Sequence, residues 1–522
     1  MQQLKNRLAF LRLLLVLLFC TAAVYLAWLV QKPELIQTAA RQGTYTCTAG
    51  TARGTIYDRN GVPLVNTKTA CIAVVSPTPA AAEALLSHVT DTAAFYEKLA
   101  QGMPFTCTVD TADIDCPDVT ILQIPQRSTS PQLAQHVIGY TREGSGVAGL
   151  ESAYDAILHS VDSQWSVTFS VDGTGTPLAG EPKQIRYGAN PTAGIMTTLD
   201  SRIQRICESA GSGLEKGCIV VGRRRYLGAA SPGYSADSRA MHQRPTAYDG
   251  VPCSVSVGSI FKLVTAACAF DQGVGYNFTW DCDGAISVGT QRFRCHELQG
   301  HGVQHMADAM RSSCNPYFIA LGQALSGSDL LQTAKSLGFG TEIMLTSNMI
   351  ASGGTLPTLQ QLKLPAEQAN FSFGQGVLTA SPLQIARMTC AIARDGTLPA
   401  VRLVRGVTDD GRTVLREERG IPESGIAPET AAFLRRLMCY TAADEDFQGR
   451  PAHVSMGAKT STAQTGRCDV DGTEYCHGWV TAFFPAEQPK YAVTVLAEDG
   501  GYGNQAASPI LRQITGAIMQ VE

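Results

Sequence analysis

Ser259 and Lys262 stand three residues apart in VGSIFKLVTAACAF, a spacing that puts both on one face if the stretch is helical. A serine in the first turn, after Gly258, keeps its own N–H outside the helix ladder and free to bind an oxyanion. Burial by Phe261 and the apolar turns beyond would lower the lysine pKa and let it act as a base. Ser-x-x-Lys alone arises often by chance, and a capping serine followed by an exposed lysine is the blander reading. A second group, Ser313 and Asn315 in MRSSCNPYFIALG, sits where one helix ends near Arg311 and Pro316 is suited to open the next. There Ser313 can relay protons and Asn315 can hold an amide, unless Asn315 is simply an N-cap. The third group, Lys459, Thr460 and Thr462 in GAKTSTAQTG, reads as a strand edge carrying a cation and hydroxyls. A fourth set, Cys282, Cys295, His301 and Cys314, has the soft donors of a Cys3His zinc site, though its long gaps are unlike a zinc finger. A Cys282–Cys295 disulfide beside a small buried Cys314 competes with it.

Several elements must position these groups. TTLDSRIQRICESA, from Thr197, is amphipathic at helical spacing, and GCIVVGRRRYLGAAS reads as two adjacent strands joined by a basic turn. Helical stretches follow at Phe261–Phe270, Val303–Arg311, Tyr317–Leu325, Pro382–Ala393 and Pro428–Cys439, before the strands GWVTAFFPA and KYAVTVLAE. Strands early and late with helices between predict an α/β (α+β) unit over 192–522, its central antiparallel sheet drawing on both ends and flanked by helices. Residues 31–191 mix short strands, loops and helical pieces and read as an elongated pedestal. Within them, Thr55–Tyr57 and Pro63–Val65 around Asn60-Gly61 predict a hairpin, because that pair suits φ > 0.

Leu13–Val30 is an uncharged apolar run close to the ~20 residues that cross a bilayer core. Lys5, Arg7 and Arg12 precede it, which predicts a cytoplasmic tail at 1–12, a transmembrane anchor at 13–30 and the remainder outside. The run is longer than a signal-peptide core, so an uncleaved anchor is expected. Lys plus Arg is 41 against 45 Asp plus Glu, a balance with no electrostatic drive toward nucleic acid. Among the 16 cysteines, Cys107 with Cys116 and Cys468 with Cys476 could close short loops, whereas Cys207, Cys268, Cys390 and Cys439 fit buried free thiols.

Ser-x-x-Lys, then Ser-x-Asn, then Lys-Thr near the C-terminal end resembles the ordered motifs of the penicillin-binding, active-site-serine transpeptidases. RGTIYDRNG (Arg53 to Gly61) is similar to the membrane-proximal signature of class B members. GVAGLESAYDAIL and TTLDSRIQ resemble their following linker segments, and FSFGQGVLTASPLQIARM their glycine-rich loop and helix. The resemblance runs from Arg53 to the C-terminal strands. It implies a monofunctional D,D-transpeptidase that cross-links peptidoglycan stem peptides through an acyl-enzyme on D-Ala-D-Ala and is inhibited by β-lactam antibiotics. Ser259 would be the nucleophile, Lys262 its base and Ser313 the proton relay. Asn315 would hold the peptide amide, Lys459 and Thr460 the terminal carboxylate, and the Ser259 and Thr462 amides the oxyanion. No cofactor is required for this chemistry. Some class B relatives hold zinc near the Ser-x-Asn motif, with a ligand in a segment like Gly300-His301-Gly302. The implied setting is the bacterial cell membrane, beside a membrane glycan polymerase of the shape, elongation, division and sporulation family. A catalytically silent wall-synthesis scaffold and a β-lactam sensor or β-lactamase are the competing functions.

Ser461 departs from the family, where glycine is usual. Strand alternation puts Lys459 and Ser461 on one face and Thr460 and Thr462 on the other, so Ser461 should point toward the helix bearing Ser259. Its hydroxymethyl is expected to widen that gap slightly and tune acylation.

Overall fold

The computed structural model describes residues 2–32, 43–127, 132–142, 144–159, 164–188, 191–223, 226–230, 254–275, 277–346, 348–418 and 420–521. The chain forms two compact units, one from Met1–Arg53, Asn66–Thr129 and Val161–Pro191, the other from Gly54–Val65, Ser130–Ser160 and Thr192–Glu522. Residues 54–65 and 130–160, placed in the pedestal by a single boundary at 191/192, therefore pack with the second unit.

The first unit begins with the helix Gln2–Val30, whose segment Asn6–Leu29 is long and apolar enough to cross a membrane. Its globular part holds two antiparallel sheets. In one, Lys68–Val75 lies between Phe105–Val109 and Val119–Gln126; in the other, Gln164–Ser170 lies between Thr44–Thr51 and Gln184–Arg186. Two helices, Pro79–Leu85 and Thr92–Ala100, start where Thr78 and Asp91 accept the Ala81 and Ala94 amides, each side chain satisfying a donor the helix leaves open. Cys107 and Cys116 are free thiols, as are Cys468 and Cys476, so neither short loop is cross-linked.

The second unit is built on a five-stranded antiparallel sheet in the order Tyr226–Ala230, Gly217–Arg223, Tyr491–Ala497, Glu474–Phe484, Gly457–Cys468. Both chain ends of the unit thus supply strands, as the sequence pattern predicts. Of the basic turn between the first two strands, Arg224 and Arg225 lie outside the described residues. Gly457–Cys468 is an edge strand. Pro382–Ala393 is buried along its whole length and opens with a capping box between Ser381 and Gln384. The sheet also packs against the C-terminal helix Ser508–Val521, which buries Leu511, Ile514, Thr515 and Ile518 beside Ser201–Ala210. That helix escaped the sequence reading, although its buried residues follow the i, i+3, i+4, i+7 pattern of one helical face.

The Asn60-Gly61 turn differs in part from the expected hairpin. The chain reverses there as expected, with a Tyr57–Pro63 antiparallel bridge and backbone bonds from Asp58 to Val62 and from Leu64 to Ile56, each 2.8 Å, but Thr55–Tyr57 pairs in parallel with Gly194–Thr197 on its other side. Gly61 alone of the two takes positive φ (+80°), because buried Asp58 closes the turn itself, accepting the Asn60 and Val62 amides at 2.8 and 2.9 Å. Asp58 also accepts the Ser201 amide at 3.1 Å, which fastens RGTIYDRNG to TTLDSRIQ within the second unit.

Candidate active site

Ser259 lies on a 3-10 turn, Gly258–Phe261, that runs directly into the helix Lys262–Asp271. The helix is buried on nearly every side, with Phe261 packed against Phe371 and Phe339 at ring separations of 4.6 and 5.3 Å. Gly258 has φ +61° and donates its amide to the Gly374 carbonyl at 2.9 Å, so the FSFGQG loop backs the turn. A Cβ on Gly374 would lie 1.9 Å from the Gly258 carbonyl oxygen; this close approach is what its glycine permits.

Lys262 is fully buried. Its ammonium donates to the Ser313 carbonyl at 2.6 Å, to Asn315 Oδ1 at 2.7 Å and to Ser313 Oγ at 3.2 Å. Burial first, and the neighbouring Lys459 second, push its pKa well below the ordinary lysine range. Lys459, 1% exposed, reaches the same hydroxyl from the edge strand, with Nζ 3.1 Å from Ser313 Oγ and 2.9 Å from the Thr460 carbonyl. Burial pushes Lys459 down to about 7.

Ser313 is held in the left-handed region (φ +54°) between the helices Met306–Arg311 and Asn315–Gln323. Asn315 is the first residue of the second helix, with Cys314 in the capping place, so the N-cap reading of Asn315 does not hold. Asn315 Oδ1 accepts from Lys262, which leaves the Asn315 NH2 for a substrate carbonyl. Thr460 and Thr462 are half-buried, and Thr462 Oγ1 accepts the Gly503 amide at 3.1 Å. Ser461 faces the serine turn as alternation predicts, but it does more than fill space: Oγ donates to the Val257 carbonyl at 2.8 Å. The sequence reading missed Trp479, whose Nε1 donates to the Ser256 carbonyl at 3.0 Å. A tryptophan among apolar strand residues carries no local sign of that partner.

Beside Ser313, one donor atom each from Cys282, Cys295, His301 and Cys314 lies within 4.8 Å of the others. The three thiols are buried and none is in a disulfide, so the Cys282–Cys295 bridge is absent. His301 Nδ1 is 3.5 Å from Cys295 Sγ. The cluster needs glycine at 300, where φ is +82° and a Cβ would lie 2.0 Å from the Cys282 carbonyl oxygen. Tetrahedral zinc with ~2.3 Å bonds to sulfur separates its ligands by about 3.8 Å, so the four donors fit such an ion.

This arrangement of a turn serine, two buried lysines and a Ser-x-Asn pair accompanies a sequence match. The profile of the penicillin binding protein transpeptidase domain covers residues 236–516. The chain belongs to the penicillin-binding protein transpeptidase family. Among relatives of this penicillin-binding protein, Stage V sporulation protein D of Bacillus subtilis is 27% identical over 513 residues, 88% of this chain and 77% of that one. Peptidoglycan D,D-transpeptidase PbpA of Mycolicibacterium smegmatis is 26% identical over 430 residues, 75% and 83% of the two chains. In fold, the chain is similar to the penicillin-binding protein of a PBP2–MreC complex from Helicobacter pylori, with TM-score 0.63, 21% identity and 92% and 99% coverage. It is also similar to penicillin-binding protein A of M. tuberculosis in a ceftriaxone acyl-enzyme complex, with TM-score 0.63, 20% identity and 90% and 98% coverage. Together with the RGTIYDRNG signature and the single apolar N-terminal helix, the family match makes this a class B penicillin-binding protein acting as a transpeptidase in peptidoglycan synthesis.

Proposed function

We propose that the chain is a membrane-anchored serine D,D-transpeptidase that joins peptidoglycan stem peptides through an acyl-enzyme on Ser259. The observation that carries this reading is the convergence of Lys262 and Lys459 on one hydroxyl, Ser313 Oγ, at 3.2 and 3.1 Å. Two buried ammonium groups repel, so the pair is stable with one proton fewer, and the amine thereby left neutral is the base the reaction needs. Ser259 Oγ attacks the carbonyl carbon of the penultimate D-alanine as its proton passes to neutral Lys262. The tetrahedral oxyanion is received by the Ser259 and Thr462 amides. When the C–N bond breaks, the proton returns through Ser313 to the departing D-alanine nitrogen. An amine of a neighbouring stem peptide then attacks the acyl carbonyl, restoring Ser259 and forming the cross-link. Charged Lys459, with Thr460, binds the terminal carboxylate, and the Asn315 NH2 holds the peptide carbonyl.

The retained Ser259, Lys262, Ser313, Asn315 and Lys459 favour an enzyme over a silent scaffold. The separate first unit argues against a lone β-lactamase. A fluorescent penicillin tests this. The intact chain should take one stable label that Ser259→Ala abolishes. No labelling of the parent would favour the scaffold, and rapid release of the label a β-lactamase.

Cys282, Cys295, His301 and Cys314 would hold zinc as a closed four-ligand site, which binds and orients but leaves no position for substrate. It would fix the Cys314 end of the Ser313 turn. Purified protein with less than about a tenth of an equivalent of zinc would reject that assignment. The N-terminal helix would place the catalytic unit outside the cell membrane, beside a glycan polymerase. The Helicobacter pylori PBP2–MreC complex supports assembly with other wall-synthesis proteins.

A further inference from the structure

Two residues that the reaction itself does not use converge on the backbone just ahead of Ser259. Ser461 and Trp479 are direct cross-strand partners on the edge strand and its neighbour. Each donates to a carbonyl of the turn: Trp479 Nε1 to Ser256 at 3.0 Å, and Ser461 Oγ to Val257 at 2.8 Å. The Val257–Gly258 peptide is also held from its other side, where the Gly258 amide meets the Gly374 carbonyl at 2.9 Å. Trp479 is fully buried and Ser461 is 3% exposed, so both bonds form away from water. Gly258 leaves them room, since a Cβ there would lie 2.4 Å from Ser461 Oγ.

We infer that Ser461 and Trp479 form a two-point clamp that sets the spacing of the oxyanion hole. The inference rests on the acyl-enzyme reading above. The two amides of the hole come from different elements, Ser259 from the 3-10 turn and Thr462 from the edge strand. Oxyanion donors act only within a few tenths of an ångström of the right position, so whatever ties turn to strand governs the acylation rate. Ser461 is the chain neighbour of Thr462, and its hydroxyl spans the gap to the residue preceding Gly258. A glycine at 461 has no such donor. Ser461 and Trp479 are positioning residues: they act through the turn and touch no reacting atom.

The clamp makes a prediction opposite to a simple bulk effect. If the hydroxymethyl merely widened the gap, Ser461→Gly would acylate faster. With the clamp, both Ser461→Gly and Ser461→Ala lose the bond and slow down. The measurement is penicillin acylation of the full-length detergent-solubilised protein, resolved into the reversible binding constant and the acylation rate constant. Both variants are expected to lower the rate constant about fivefold, the loss of roughly one hydrogen bond in the transition state, with the binding constant unchanged. Trp479→Phe, which keeps an aromatic ring and drops the N–H, should show the same split. A rate constant within twofold of the parent in either Ser461 variant, or a faster Ser461→Gly, overturns the clamp. A loss confined to the binding constant does so too. A parent chain that takes no label at Ser259 overturns the acyl-enzyme reading instead, and the clamp falls with it.

Discussion

Replacing Lys459 by methionine should make the protein inactive and, at neutral pH, more stable. The side chain is 1% exposed, and burial has brought its pKa from 10.5 to about 7. A lysine depressed in the folded state binds fewer protons there than in the unfolded chain between those two values. Stability therefore falls as pH drops from about 10.5 to about 7 and is level below that. At about 1.4 kcal/mol per pH unit, the charge held at neutral pH costs roughly 5 kcal/mol at most. Lys459→Met removes that slope. It also frees Lys262 from a neighbouring positive charge, which shrinks the variant's remaining slope and widens the difference. The assay is the melting temperature of parent and variant from pH 6.5 to pH 10. The gap in favour of methionine should be largest at neutral pH and close as pH rises, by roughly 5–10 °C in all. Penicillin acylation of the variant should fall by at least about a hundredfold, because the carboxylate loses its charged partner. Parallel melting curves for the two proteins would refute the argument that Lys459 is a strained, desolvated cation.

Other outcomes follow from the same geometry. Acylation of the parent should decline above pH about 7, approaching tenfold per unit, as Lys459 loses the proton that binds carboxylate; a rate still rising to pH 9 would contradict this. Lys262→Met should leave penicillin binding measurable but lower the acylation rate constant by about 10²–10⁴-fold, the usual worth of a general base. Gly300→Ala should reduce the zinc content of purified protein, since its Cβ would meet the Cys282 carbonyl oxygen at 2.0 Å; metal analysis equal to the parent's would count against the site. Asp58→Ala should lower stability by about 2 kcal/mol, seen as an earlier thermal transition, because the buried Ser201 amide and two amides of the exposed turn lose their acceptor.

Much of the site was legible because its chemistry is carried by short motifs whose spacing is local. Ser259 and Lys262 stand three residues apart where the helix Lys262–Asp271 is preceded by the 3-10 turn that carries Ser259. Pro316 marked the helix start that leaves Ser313 in the preceding turn and puts Asn315 at the helix's first position. The sheet was legible too, from period-two apolar runs at both ends of the second unit. The alternation of Lys459 and Ser461 with Thr460 and Thr462 settled where Ser461 points, because a strand allows only two faces.

What tertiary structure alone decided was every relation between residues far apart in the chain. No local pattern says that Lys262 and Lys459 share one hydroxyl, that burial depresses both, or that Lys459 further lowers the proton affinity of Lys262; desolvation and a few ångströms of separation do that. The Asn60-Gly61 reversal was legible, but not that Gly61 alone takes positive φ, because Asp58 closes the turn and has a further partner, Ser201, that becomes available only after folding. Long-range packing also moved residues 54–65 and 130–160 out of the pedestal, where Val137, Leu150 and Leu158 join one core with Ile56 and Ile195. Residue types, spacings and strand faces are properties of the chain, whereas desolvation and long-range hydrogen bonds exist only once the chain has closed on itself. The question of Ser461 spans both: its direction was written in the strand, and its partner, the Val257 carbonyl, was supplied by the fold.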